Sequence, residues 1–157
     1  MIIKFIYTIF LALLVALFVG LGIDAFYPAP KAPSYPVELE KVESCCEETA
    51  EQRGIRIEFN QDQRKYEEEM KPYNQNVSII SLLASVIILV VSLTLLNKIE
   101  MIADGILLGG VFTVMYSIIR GLMTENSQFR FLIVTIGIII AFVLGYVKFI
   151  RPKENIQ

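Results

Sequence analysis

The stretch GIDAFYPAPKAPSYP, residues 22 to 36, separates an apolar first segment from a charged second one. An apolar run from Phe5 to Tyr27 leads into it, and four prolines follow within it. That run is longer than the apolar part of a signal peptide usually is, and it ends in the aromatic pair Phe26–Tyr27, which suits a membrane interface. Both features favour a retained membrane helix over a cleaved signal peptide. The prolines then end the helix and form a stiff, extended collar at the membrane surface.

Three more near-continuous apolar runs complete the pattern, in a chain that is 55% hydrophobic. At about 1.5 Å per helical residue, each run is long enough to approach or match the hydrocarbon thickness of a bilayer. The sequence therefore predicts an all-α protein: a four-helix transmembrane bundle with a charged helical hairpin between helices one and two. The predicted segments are residues 1–27 (first transmembrane helix), 28–36 (collar), 37–76 (extracytoplasmic hairpin), 77–96, 102–119 and 131–150 (second to fourth transmembrane helices).

The distribution of basic residues predicts the orientation in the membrane. With four passes, both termini and the loop near Asn97 lie on one side, which carries Lys4, Lys98, Lys148, Arg151 and Lys153. The short loop on the other side carries only Arg120 and Arg130. Because short cytoplasmic segments are enriched in Lys and Arg, we expect a multi-pass protein of the cell membrane with cytoplasmic N- and C-termini.

The charged segment 37–76 shows two helical patterns. The first, at Leu39, Val42, Cys46 and Ala50, has spacings of three and four residues, and Gly54 then suggests a turn. In the second pattern, aromatic residues recur every seven positions, a spacing that is typical of a coiled coil. This pattern predicts a helix that continues into the second membrane helix. A short strand at residues 55–59 and a partly disordered loop are the alternatives. The apolar stripe expected to face a partner comprises Leu39, Val42, Phe59, Tyr66, Met70 and Tyr73.

The chain has two cysteines, and they are adjacent, at Cys45 and Cys46. Neighbouring cysteines rarely bond to each other, because the peptide between them would be strained. In an extracytoplasmic hairpin, a disulfide to the same residues of a second subunit is one expectation, and two ordinary thiols are the other.

Small residues recur four positions apart in three of the apolar runs. Gly105 and Gly109 form a GxxxG pair, Ser81 and Ser85 repeat the spacing, and the last run carries Gly137, Ala141 and Gly145. Such stripes let two helices approach closely. We expect them to serve packing within one bundle rather than a dimer interface.

Three ionisable residues lie within or beside the apolar runs, but each is near a helix end. The predicted topology places Asp24 and Arg120 on the outer side, where they could pair, and Asp104 on the inner side. Their positions favour a structural role over an ion pathway, because a pathway needs ionisable groups at mid-depth.

The sequence lacks the residues that several kinds of chemistry need. The chain has no histidine, so it has neither a histidine base nor a histidine metal ligand. It also lacks a phosphate-binding loop, and its charged segment is net acidic, which argues against nucleic acid as a partner. We therefore expect no enzyme activity, no catalytic residues, no cofactor and no metal site.

The stretches FYPAPKAPSYP, LLGGVFTVMYSIIRG and FRFLIVTIGIIIAFVLGYVKF resemble small multi-pass membrane proteins of prokaryotes whose function is uncharacterised. The resemblance covers the whole chain and implies a membrane location, but no activity. The sequence leaves two hypotheses: a scaffold or interaction protein that binds another copy or another membrane protein through the hairpin, and a small transporter or channel subunit with a path lined by Ser, Thr and Gly.

Overall fold

A computed structural model describes residues 2–37, 49–95 and 99–150 of the chain. They form four helices, α1 (Ile2–Phe26), α2 (Ala50–Leu95), α3 (Glu100–Leu122) and α4 (Ser127–Gly145), followed by a π-helical turn at Tyr146–Ile150. No strand occurs within these residues. Each of the four helices is long and apolar enough to cross a membrane. The prediction of an all-helical protein with four such helices is confirmed.

Helix α2 joins the charged segment to the second apolar run without a break. It has 46 residues, which corresponds to about 70 Å. Gly54 lies inside this helix, so the turn predicted at Gly54 and the alternative strand at 55–59 are both wrong. A single glycine lowers helix stability by only about 1 kcal/mol relative to alanine, which the surrounding helix can tolerate. The first arm of the predicted hairpin, with Leu39, Val42, Cys45 and Cys46, lies outside the described residues.

Helix α3 is the centre of the bundle. Its most extensive contacts are with α2 and α1, and it also contacts α4, whereas α1 and α2 meet over a short stretch. Among the described helices, α4 contacts only α3. A cluster of buried residues, Val19, Ile23, Tyr73 and Val77, joins α1 and α2 where the apolar half of α2 begins.

Two glycines allow α1 to lie close against α3. A Cβ atom added at Gly105 would be 2.7 Å from Leu11 Cδ2, and one added at Gly109 would be 2.7 Å from Val15 Cβ. Both distances are well below an ordinary carbon–carbon contact of about 3.5 to 4.0 Å. The GxxxG pair of α3 therefore faces α1.

The small-residue stripe of α4 is divided by the packing. A Cβ atom added at Gly137 would be 2.8 Å from Ile118 Cδ1 of α3, whereas one added at Gly145 would have no atom within 4 Å. Ala141 is exposed. Only the first part of this stripe thus lies against another helix of the described chain.

The turn between α3 and α4 is fixed by hydrogen bonds. The side-chain oxygen of Asn126 accepts hydrogen bonds from the backbone N–H groups of Gln128 and Phe129, at 3.0 and 3.2 Å, and so caps α4. Arg130 donates to the backbone carbonyl of Thr124. These contacts set the direction in which α4 returns along α3.

Candidate functional site at the polar end of the bundle

The proline collar lies along the charged half of α2. Tyr27, immediately before the collar, stacks on Tyr73 with ring centroids 5.3 Å apart and planes 5° from parallel. Tyr35, near its end, meets Phe59 edge to face at 5.4 Å. From Tyr27 to Tyr35 the chain advances eight residues, which span about 25 Å in an extended polyproline conformation at about 3.1 Å each. From Phe59 to Tyr73 the helix advances fourteen residues, which span about 21 Å, so the two segments have similar lengths. The collar therefore runs extended beside α2, in the opposite direction.

The stripe predicted to face a partner is partly covered by the chain itself. Phe59 is half-buried against the collar, and Tyr66 lines a groove of about 270 Å³ with Lys31 and Pro33. Met70 lies against the buried cluster of α1 and α2, to which Tyr73 belongs. A partner that uses this stripe must therefore bind beside the collar or displace it.

A second groove, of about 240 Å³, lies further along the same seam. Pro33 and Pro36 of the collar form one wall, and Ile55 and Phe59 of α2 form the other. Glu58 and Asp62 add carboxylates to its rim. Both grooves are open to solvent, so the seam between collar and helix is accessible along much of its length.

Arg120, in the last turn of α3, is the centre of a polar and aromatic cluster. Its Nη1 donates to Asn74 Oδ1 at 2.9 Å, and its Nε donates to the Tyr116 hydroxyl at 3.1 Å. The guanidinium carbon lies 5.8 Å from the ring centroid of Tyr73 and 5.5 Å from that of Tyr116, within the range of cation–π attraction. Arg120 thereby holds the start of the apolar half of α2 against the end of α3.

The ion pair suggested by the sequence between Asp24 and Arg120 does not form in the described part of the chain. Arg120 has no carboxylate oxygen within 4 Å there, and the neutral side chain of Asn74 accepts its hydrogen bond instead. No pattern in the sequence indicates Asn74 and Tyr116, because their contacts depend on the register between α2 and α3. The aromatic pair at the end of α1, in contrast, did indicate that Tyr27 has a role at this end of the bundle. The Tyr27 hydroxyl accepts a hydrogen bond from Asn76 Nδ2 at 2.9 Å.

Two ion pairs fasten the ends of the helices. Lys71 of α2 lies 2.9 Å from Glu125 in the α3–α4 turn. The hydrogen bond to the Glu125 carboxylate raises the pKa of Lys71, so its ammonium group is charged at neutral pH. At the opposite end of α3, Asp104 pairs with Lys148 of the π-helical turn. This ion pair joins the start of α3 to the turn that follows α4.

The interface between α2 and α3 is lined by buried hydroxyl groups. Ser78 donates to the Ser117 carbonyl at 2.8 Å, and Ser117 donates back to the Ser78 carbonyl at 2.7 Å. Ser92 donates to the Ala103 carbonyl at 2.7 Å. Ser81 and Ser85, the small residues noted in the sequence, bond to carbonyls of their own helix. Hydroxyl groups satisfied in this way let two helices approach closely in an apolar medium.

The described residues bring no metal site together. Within residues 2–37, 49–95 and 99–150, no group of three or more His, Cys, Asp or Glu side chains is placed to hold an ion. Cys45 and Cys46 are outside these ranges, so both expectations for them, a disulfide to a second subunit and two ordinary thiols, stay predictions.

Comparison with protein-family models, curated proteins and solved structures found no match to this chain. The resemblance to small membrane proteins extends as far as the four long apolar helices, and it identifies no family.

Proposed function

We propose that this protein is a scaffold in the membrane of a prokaryotic cell, which binds another membrane protein or a second copy of itself through the charged segment before the second membrane helix. In the proposed orientation, both termini are cytoplasmic and residues 28–76 lie outside. The excess of basic residues near the termini and the Asn97 loop supports this orientation. We expect no catalytic activity.

The observation that carries the proposal is the continuity of α2. Residues 50–76 continue the membrane helix by about 40 Å beyond the apolar region. The collar and the Arg120 cluster brace this extension, so its direction is fixed relative to the bundle. A rigid, charged helix held at a defined angle to the membrane is suited to positioning a partner. It also displays Ile57, an apolar side chain that is 58% exposed.

Photo-cross-linking in native membranes tests this proposal. A benzophenone amino acid replaces Ile57 in one variant and Ile87 in a matched control, since both are exposed isoleucines of α2 but Ile87 lies in the apolar half. We expect position 57 to give a discrete protein adduct. An adduct of twice the monomer mass identifies a second copy, and another discrete mass identifies a different protein. If position 57 gives no more protein adduct than position 87, the scaffold proposal is refuted.

A small transporter or channel subunit is the second candidate, because the α2–α3 interface carries a line of hydroxyl groups. In this structure the four serines of α2 and Ser117 are fully buried, so the interface is closed and transport requires it to open. Solute flux into proteoliposomes that is lost when Ser85 is replaced by Leu would favour this candidate over the scaffold.

A further inference from the structure

Arg120 retains unused hydrogen-bonding capacity at the polar end of the bundle. A guanidinium has five N–H donors, and Arg120 uses two of them, toward Asn74 and Tyr116. No carboxylate within the described residues neutralises its charge by direct contact. The side chain is half-buried, so part of it remains accessible from outside the protein.

Asp24 provides an opposite charge that is also unpaired. It lies in the last turn of α1, is exposed, and makes neither an ion pair nor a hydrogen bond with any described residue. Ile23, the residue before Asp24, lies in the same buried cluster as Tyr73, and the Arg120 guanidinium lies over the Tyr73 ring, so both charged residues are at the same end of the bundle.

Tyr73 adds a polar group that lacks a partner. Only 6% of this residue is exposed, and its hydroxyl has no hydrogen bond within the described chain. Its ring is in contact with the Tyr27 ring and with the Arg120 guanidinium, so only the hydroxyl lacks a partner. Buried tyrosine hydroxyls usually find a hydrogen-bond partner, so this group points to a ligand oxygen or an ordered water.

The position of these groups in the membrane narrows the choice of ligand. Helix α1 ends at Phe26, and the apolar half of α2 begins near Val77, so the cluster lies at the boundary between apolar and polar regions. Lipid headgroups occupy this boundary in a bilayer, and Tyr side chains are enriched there. A guanidinium matches the geometry of a phosphate, whereas a carboxylate repels a second anion and attracts an ammonium group.

We propose that Arg120, Tyr73 and Asp24 form a binding site for the headgroup of a zwitterionic phospholipid with an ethanolamine-type ammonium group. The phosphate accepts hydrogen bonds from the free N–H groups of Arg120 and from the Tyr73 hydroxyl, and the ammonium pairs with Asp24. This inference goes beyond the scaffold proposal, since it requires only that the helices span a bilayer.

Lipid binding to the full chain in detergent, measured by native mass spectrometry, tests the site. Phosphatidylethanolamine is the proposed ligand, and phosphatidylglycerol is the control that has a phosphate but no ammonium. We expect the ethanolamine lipid to bind up to about fivefold more tightly, because an ion pair with an exposed carboxylate such as Asp24 contributes at most about 1 kcal/mol. Equal binding of the two lipids would overturn the proposal.

Variants separate the two halves of the site. Asp24→Asn should abolish the preference for the ethanolamine lipid and leave binding of phosphatidylglycerol unchanged or stronger, and Arg120→Gln should weaken both lipids. Arg130→Gln is the matched control, because Arg130 is also half-buried but binds the Thr124 carbonyl. Since Asp24 makes no polar contact that holds the fold together, its variant keeps the test valid if Arg120→Gln fails to fold. Retention of the preference in Asp24→Asn would refute the ammonium contact.

Competition with soluble compounds distinguishes a headgroup site from a simple anion site. Phosphoethanolamine should displace the bound lipid at lower concentration than inorganic phosphate does. If inorganic phosphate is equally effective, the site recognises an anion only and the proposal fails.

Discussion

Replacing Gly109 with alanine adds one methyl group at one of the two glycines where α1 lies close against α3. The new Cβ atom would lie 2.7 Å from Val15 Cβ, 2.8 Å from Val15 Cγ1 and 3.1 Å from the Ala12 carbonyl oxygen. Two of these atoms belong to a β-branched side chain with restricted rotamers, and the third is backbone. None of the three can move away alone, so the two helices must separate by up to about 1 Å.

The cost of this separation can be compared with the gain in helix propensity. Overpacking of this kind typically destabilises by about 1 to 3 kcal/mol, and the backbone contact favours the upper end. Alanine is better than glycine in a helix by about 1 kcal/mol. The net loss is therefore about 2 kcal/mol. Gly20→Ala is the matched control, because a Cβ atom at Gly20 would have no atom within 4 Å and should bring only the gain.

Thermal stability of the full chain in detergent measures the difference. The fraction of protein that remains monodisperse after heating, read by size-exclusion chromatography, gives an apparent midpoint for each variant. The two variants carry the same added methyl group but should differ by about 3 kcal/mol, which corresponds to roughly 6 to 12 °C for a chain of 157 residues. If Gly109→Ala is as stable as Gly20→Ala, α1 and α3 do not approach as closely as this geometry requires.

Two further predictions concern the α2–α3 interface and the orientation in the membrane. Ser92→Ala removes the hydrogen bond to the Ala103 carbonyl and should lower stability by about 0.6 to 1.7 kcal/mol, whereas Ser85→Ala, whose bond is to the Leu82 carbonyl of its own helix, should have a smaller effect. Equal effects in the same heating assay would show that the Ser92 bond does not join the helices. Cys45 and Cys46 should react in intact cells with a membrane-impermeant thiol reagent, directly or after reduction if they form a disulfide between subunits. Labelling only after lysis would invert the proposed topology.

The number and type of membrane-length helices could be predicted because they depend on each segment alone. Length, hydropathy and proline position within a segment decide whether it forms an apolar helix and where that helix stops. The four prolines after Tyr27 ended α1 as predicted. Charge alternation over five residues was a weaker signal, since it fits a short strand and one face of a helix equally well. The continuous helix through Gly54 decided between them.

The contacts between segments were decided by the tertiary structure. Gly137 and Gly145 belong to the same stripe in the sequence, but only Gly137 lies against another helix, because α4 contacts α3 over part of its length. Phe59 and Tyr73 share a helical repeat, but the chain's own collar meets the first and Tyr27 stacks on the second. The polar partners of Arg120 come from its own helix and from α2, 46 residues away in sequence for Asn74.

The sequence by itself thus determined which segments are apolar helices, since hydropathy and backbone preference are properties of neighbouring residues. It did not determine which face of each helix meets another, because that depends on how closely the backbones approach and on the register between them. Both are set by contacts such as Gly109 on Val15 and Ser78 on Ser117, which join residues far apart in the chain.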